Sequence, residues 1–462
     1  MNQAFLEYFR CSPTFANFAL DEPGRVNELP GFFTFGHGLT LFGKSVLAHH
    51  DTVDADLPDA IPHVRIEGRT CILPFDPTEV AANLRHENYV KPAPRSLRKK
   101  LIRKLYYTVR PLLSTRVRRH LQRASLRGWE HTSFPHWPVD RTVDRMFVRL
   151  MGIALRAVPD GEIPFIWFWP EGHSAAAIMT HDVETSAGLA FIHELMSLDS
   201  SFHISSSFQL IPDARYTVTP ETLASIRAAG FEVNVHDLHH DGHLFDNHTA
   251  FREAIRRINN FAFRFDSRGF RAGALYRNQA WIQELRVSYD MSVPNVAHLD
   301  PQPGGCCTVM PYFLGRLLEL PVTATQDYTL FHILQTHSQE IWLQQIAVVL
   351  EQHGMLNFIV HPDYLDNPNA IASYTALLAE LSRLRAQAGL WIALPHEVDT
   401  WWRQRNAMTI VRQGSGWKIE GEGSERARVA CATLHNGRLN YHFPSPTVHG
   451  RPFQTPIVQA AP

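Results

Sequence analysis

Four stretches of this sequence place titratable or cationic residues directly behind an apolar run. AAAIMT leads into His181, Asp182 and Glu184, and FEVNV leads into His236, His239, His240 and His243. RGF leads into Arg271, and LNFIV leads into His361. Reactive groups at successive strand ends can converge although they lie far apart in sequence. His236 and His240 are four apart, and Asp241-Gly242 turns the chain behind them. Imidazole is a common ligand of zinc-like ions, and two His plus one carboxylate leave a coordination position open for water. The spacing alone is weak, because H-x-x-x-H pairs arise by chance in a chain with 26 histidines. Position at a strand end is what makes His236 and His240 candidate metal ligands. His239 and His243 point elsewhere by spacing and read as a polar, solvated loop. Hydrolysis of an amide needs an activated water, a base and an acid. Asp182 and Glu184 can supply a metal ligand and a base between them, in either order; the plainer reading is an N-cap pair ahead of Ser186. His361 follows a continuous apolar strand, and an imidazole with an ordinary pKa of about 6.5 suits an acid at neutral pH.

These residues need strands to carry them. Candidate strands are Ala175–Thr180, Phe202–Leu210, Phe231–Val235, Gly269–Ala272, Val287–Val293, Leu317–Pro321, Leu356–Val360 and Leu390–Leu394. Helical patterns lie between several of them, at Pro220–Ala229, Thr249–Phe261, Ser338–His353 and Ser373–Ala388. Such alternation implies a parallel sheet, and eight strands in this length suit a (β/α) barrel over residues 166–405. Residues 1–165 read as a mixed α/β appendage. From residue 406 the chain shows short alternating runs separated by Gly, Ser and Asn, which predict a small antiparallel β module over 406–462.

The 462 residues suit two or three domains, and a hydrophobic content of 45% allows a large core. A net charge of -1 argues against a nucleic-acid binder. Five cysteines without C-x-x-C pairing suggest no disulfide framework and a reducing compartment. With no basic-then-apolar leader and no spanning run, the expectation is a cytoplasmic protein. One block, Lys91–Arg127, contains no Asp or Glu. It reads as a solvated basic helix face or, more sharply, as a contact to an anionic membrane surface that makes the protein membrane-peripheral.

Taken together, five segments resemble the NodB-homology domain of polysaccharide deacetylases, carbohydrate esterase family 4. They are MTHDVE (179–184), VHDLHHDGH (235–243), GFRAGALYRN (269–278), VSYDMSV (287–293) and NFIVHP (357–362), in the family's order over about half the chain. The resemblance implies a distorted (β/α) barrel with a divalent metal, commonly zinc, acting on an N-acetylated carbohydrate in the setting of bacterial surface-polysaccharide synthesis. It makes Asp182 the base, His361 the acid, and His236 and His240 metal ligands. Arg271 would orient the base and Asp290 would hold Arg271. Two departures stand out. Val183 occupies the place of the motif's second Asp, leaving Glu184 as ligand with Asp182 as the alternative, and Gly273 stands where the family usually has Pro. The Ala187-Gly188 pair and GGCC (304–307) read as unmatched loops, and Tyr276 and Trp281 as aromatics able to stack on a sugar. Rival readings are a hydrolase of a non-sugar amide on the same barrel, and a binding protein without turnover.

Overall fold

The computed structural model describes residues 1–21, 23–53, 56–91 and 115–444. Nine strands form one sheet: β1 (Ala175–Val183), β2 (Ser207–Leu210), β3 (Glu232–His236), β4 (Gly269–Arg271), β5 (Tyr289–Asp290), β6 (Tyr312–Leu314), β7 (Leu317–Glu319), β8 (Met355–Ile359) and β9 (Leu390–Ile392). Their order is β6-β7-β5-β4-β3-β2-β1-β8, with β9 also on β1. All neighbours are parallel except β6, which returns antiparallel onto β7. The expected α/β class and distorted barrel are therefore what the chain adopts.

β1 is the centre of the arrangement. Every residue from Ala175 to Val183 is buried, as a strand covered on both faces must be. Residues 175–177 pair with β9, 176–180 with β8 and 180–183 with β2. Neighbours thus change along one strand, which splits the wall and distorts the barrel. Closure on the far side uses side chains. The segment after β7 lies along β8, with Ala324 N–H donating to Asn357 O at 3.2 Å and Thr323 Oγ1 to Met355 O at 2.8 Å. Asn357 N–H donates to Thr323 Oγ1 and its Nδ2 to Leu320 O, both at 2.9 Å. A seam too irregular for a backbone ladder is satisfied by one hydroxyl and one amide.

Helices α1 (Ser186–Ser201), α2 (Pro220–Ala228), α3 (His248–Arg264), α4 (Glu340–Glu351) and α5 (Pro368–Ala388) alternate with the strands. Ala187-Gly188 is not a loop but the first turn of α1, capped by the Thr185 hydroxyl. GGCC is a buried turn with Gly304, Gly305 and Cys307 all at positive φ. All five cysteines are buried and none forms a disulfide.

The chain forms two compact units whose segments interleave in sequence. Among the described residues, one compact unit draws on residues 1–89, 141–174 and 400–444; the other, which carries the barrel, draws on residues 90–91, 115–140 and 175–399. In the first unit Val429–His435 pairs antiparallel with Glu162–Ile166 on one side and with Arg438–His442 on the other. An unpaired edge seeks a partner wherever the sequence holds one. Residues 92–114 of the basic block lie outside the described residues; its last part forms a helix, Thr115–Ser125. Among the described residues no helix is long and apolar enough to cross a membrane.

Candidate active site

The strand ends that carry the predicted residues meet. Asp182 and Glu184 are two apart at the end of β1, so alternation turns both to one side. His236 is the last residue of β3. Behind it Asp237 and His240 adopt φ of 56° and 52°, and this left-handed turn brings the His240 ring back to 4.8 Å from that of His236. One ligand atom each from Glu184, His236 and His240 lies within 4.8 Å of the other two.

Nε2 of both rings is buried without a hydrogen-bond partner. His240 Nε2 stands 3.1 Å from Glu184 Oε1, off the line that a hydrogen bond requires. His236 Nδ1 lies 3.1 Å from Arg271 O and is placed to donate to it, which leaves the Nε2 lone pair free. Two orphaned nitrogens and a carboxylate converging in a buried place fit a divalent ion. Burial drives the His236 pKa down to about 4, so that ring is neutral. Burial also depresses His240, but the Glu184 carboxylate more than offsets it and the pKa ends above the ordinary value. Glu184 itself lies well below the usual carboxylate range, because the surrounding imidazoles outweigh its burial. Its other oxygen accepts from the Tyr364 hydroxyl at 3.2 Å.

Asp182 sits on one side of this cluster, with Oδ2 3.7 Å from His236 Nε2. Burial pushes its carboxyl up, but Arg271, His236 and His361 together bring it below the ordinary value. Arg271, fully buried, donates from Nη1 to Asp182 Oδ1 at 2.8 Å and to Thr180 Oγ1 at 2.7 Å, and from Nε to Met291 O at 3.0 Å. Asp290 does not hold Arg271 by a hydrogen bond, contrary to expectation. It accepts from Ser292 Oγ at 2.6 Å and shares a contact with Glu319, whose carboxyl is driven well above the usual range by burial and by Asp290. Strand alternation explains this: β5 and β7 are in register at Asp290 and Glu319, so the two acids face each other.

His361 also borders the cluster, its Nε2 3.7 Å from Glu184 Oε1. Asp327, which the sequence did not single out, accepts from His361 Nδ1 at 2.6 Å and from its backbone N–H at 2.7 Å. Burial works against the imidazolium, but Asp327 and the two site carboxylates raise its pKa to about 10. His361 thus carries a proton at neutral pH.

Gly273 explains its own departure from the resemblance. Its N–H donates to Asp237 Oδ2 at 3.1 Å, and a Cβ there would lie 2.5 Å from that oxygen and 2.9 Å from the His240 ring. His239 and His243 stay outside the cluster, near Asp213 and Asp246 respectively. Trp281 packs with His248, Phe251 and Phe245 on α3 and its approach.

No family model matches the chain, and no curated protein matches it. Several solved structures similar to it are polysaccharide or peptidoglycan deacetylases. A Mycobacterium smegmatis protein described as a polysaccharide deacetylase is 19% identical, covering 54% of this chain and 98% of its own, with a TM-score of 0.42. PuuE allantoinase is 12% identical over 51% of this chain and 93% of its own, TM-score 0.40. The peptidoglycan deacetylase PdaC of Bacillus subtilis is 12% identical over 52% and 96%, TM-score 0.34. Folds of this kind host many chemistries, so function follows from the side chains.

Proposed function

We propose that this chain hydrolyses the acetamido group of an N-acetylated sugar or polysaccharide in a metal-dependent reaction. The observation that carries the proposal is the flanking of Glu184, His236 and His240 by an ionised carboxylate, Asp182, and a protonated imidazole, His361. Those three residues would hold a divalent ion of the zinc class, which when bound supplies Lewis acidity to the amide carbonyl. Asp182, kept ionised and oriented by Arg271, takes the proton from the attacking water. His361 donates its proton to the departing amine nitrogen, and Asp327 holds the ring with Nε2 turned toward the site. Base and acid are therefore in opposite protonation states before reaction, as such a hydrolysis requires.

The sugar assignment draws on the five segments and on the similar structures that are deacetylases. The context of bacterial surface-polysaccharide synthesis, a cytoplasmic location and anionic-membrane contact through residues 91–127 belong to this proposal too; the last rests on the composition of that block. The test is an acetate-release assay on a panel of N-acetyl sugars and their oligomers, with chromatographic measurement of hydrolysis of linear and cyclic non-sugar amides as the comparison set, before and after chelation. Acetate released only from sugars and only with metal is the expected result. Turnover confined to non-sugar amides, or none on any substrate with metal bound, overturns it.

A further inference from the structure

A second group of donors lies in the first compact unit, outside the site described above. Cys431 opposes His442 across one strand pair and Pro164 across the other, while Thr433 opposes Glu162. Opposed residues share a sheet face, and so do residues two apart on one strand. Cys431, His442 and Glu162 therefore project from the same face of three adjacent strands. One ligand atom of each lies within 4.8 Å of the others, and His442 Nε2 is 3.4 Å from Glu162 Oε2. Cys431 is buried, Glu162 half-buried and His442 exposed, so the cluster opens to solvent on the histidine side.

We propose that Glu162, Cys431 and His442 form a binding site for a borderline-soft divalent cation of the zinc class, independent of the hydrolytic site. A donor set of one sulfur, one nitrogen and one oxygen suits zinc or cobalt and disfavours calcium or magnesium, which take oxygen ligands. Three protein ligands leave one tetrahedral position for water. Without an ion the thiol is protonated, pushed up to about 12 by burial and by the carboxylate it faces. A cation reverses that balance: the thiol proton leaves to solvent as the sulfur–metal bond forms. The ion ties strand Glu162–Ile166 to the hairpin at 429–442, closing a loop of roughly 270 residues, where such a clip removes most chain entropy.

Cobalt provides a readout that the hydrolytic cluster cannot imitate, because Glu184, His236 and His240 include no sulfur. Titrating the metal-free full chain with Co2+ is expected to produce a thiolate-to-cobalt charge-transfer band. The band should persist in His236→Ala, vanish in Cys431→Ser and weaken in His442→Ala, whose exposed side chain leaves the fold intact. No thiolate band in the wild-type chain at saturating Co2+ overturns the proposal. So does a band that survives Cys431→Ser, or one whose cobalt dependence is unchanged in His442→Ala.

Discussion

Asp327 accepts two hydrogen bonds from His361, one from Nδ1 at 2.6 Å and one from the backbone N–H at 2.7 Å. The first decides the protonation state of the ring and the second its position, so one carboxylate sets both properties of the proposed acid.

Replacing Asp327 by Asn tests this pairing. A raised pKa means the proton is held more tightly in the folded than in the unfolded chain. The stabilisation is full below the ordinary value of about 6.5 and is lost as pH rises through about 10. With Asn at 327 the largest favourable influence is gone and burial dominates. The alkaline limb of the activity profile should move down toward neutrality, and stability should lose its decline near pH 10. An unchanged alkaline limb would show that His361 is not the acid.

Metal content distinguishes ligands from bystanders. His236→Ala should lose one equivalent of divalent ion per chain, whereas His361→Ala should keep it. Mass-spectrometric metal analysis after dialysis is the measurement, and full retention by His236→Ala would refute the ligand assignment.

Asp182→Asn should retain metal and lose turnover by roughly 10²–10⁴-fold, the usual size of a general-base effect. Since Asp182 titrates below the ordinary carboxylate range, the wild-type rate should already be on its plateau with respect to this group at mildly acid pH. Metal loss in this variant would move Asp182 into the coordination sphere in place of Glu184.

Gly273→Pro restores the residue usual in the resembling family but removes the N–H given to Asp237 and drives ring atoms into the His240 turn. The expected cost is about 1–3 kcal/mol for the orphaned acceptor alone, together with weakened metal affinity. Equilibrium denaturation and a metal titration read the two effects separately; an unaltered metal affinity would mean that the turn does not depend on Gly273.

Thr323→Val keeps the shape of the barrel seam and deletes the hydroxyl that bridges Met355 O and Asn357 N–H. Leaving those two backbone groups unsatisfied should cost about 1–3 kcal/mol each. A midpoint unchanged in urea denaturation would show that the seam draws its stability from elsewhere.

Much of the barrel was legible because β1, β3 and β8 lie in largely apolar stretches that lead into His, Asp or Glu, and period and punctuation carry that information locally. The positions of Asp182, Glu184, His236, His240 and His361 followed from it, as did the convergence of those residues. Asp327 was not legible: it lies eight residues beyond β7 at the start of a short helical segment that no apolar period announces, and only the fold brings it to His361. Arg271 does bond Asp182, but the contact that Asp290 makes was not legible for a related reason. Asp290 belongs to β5, but the register with β7 sets it against Glu319, and register is a property of pairs of strands rather than of either sequence. Gly273 looked like a weakened motif and is instead required by a contact with Asp237, 36 residues away.

The interleaving of the two compact units has a consequence for synthesis on the ribosome. The residues of the barrel, 175–399, emerge as one continuous stretch and can complete their core as soon as they clear the exit tunnel. Strand Glu162–Ile166, made earlier, must wait for Val429–His435 before its edge is covered. During that interval it presents unpaired backbone, the kind of edge that recruits other chains. A chain truncated between residues 400 and 428 and released would therefore hold a finished barrel and an aggregation-prone first unit.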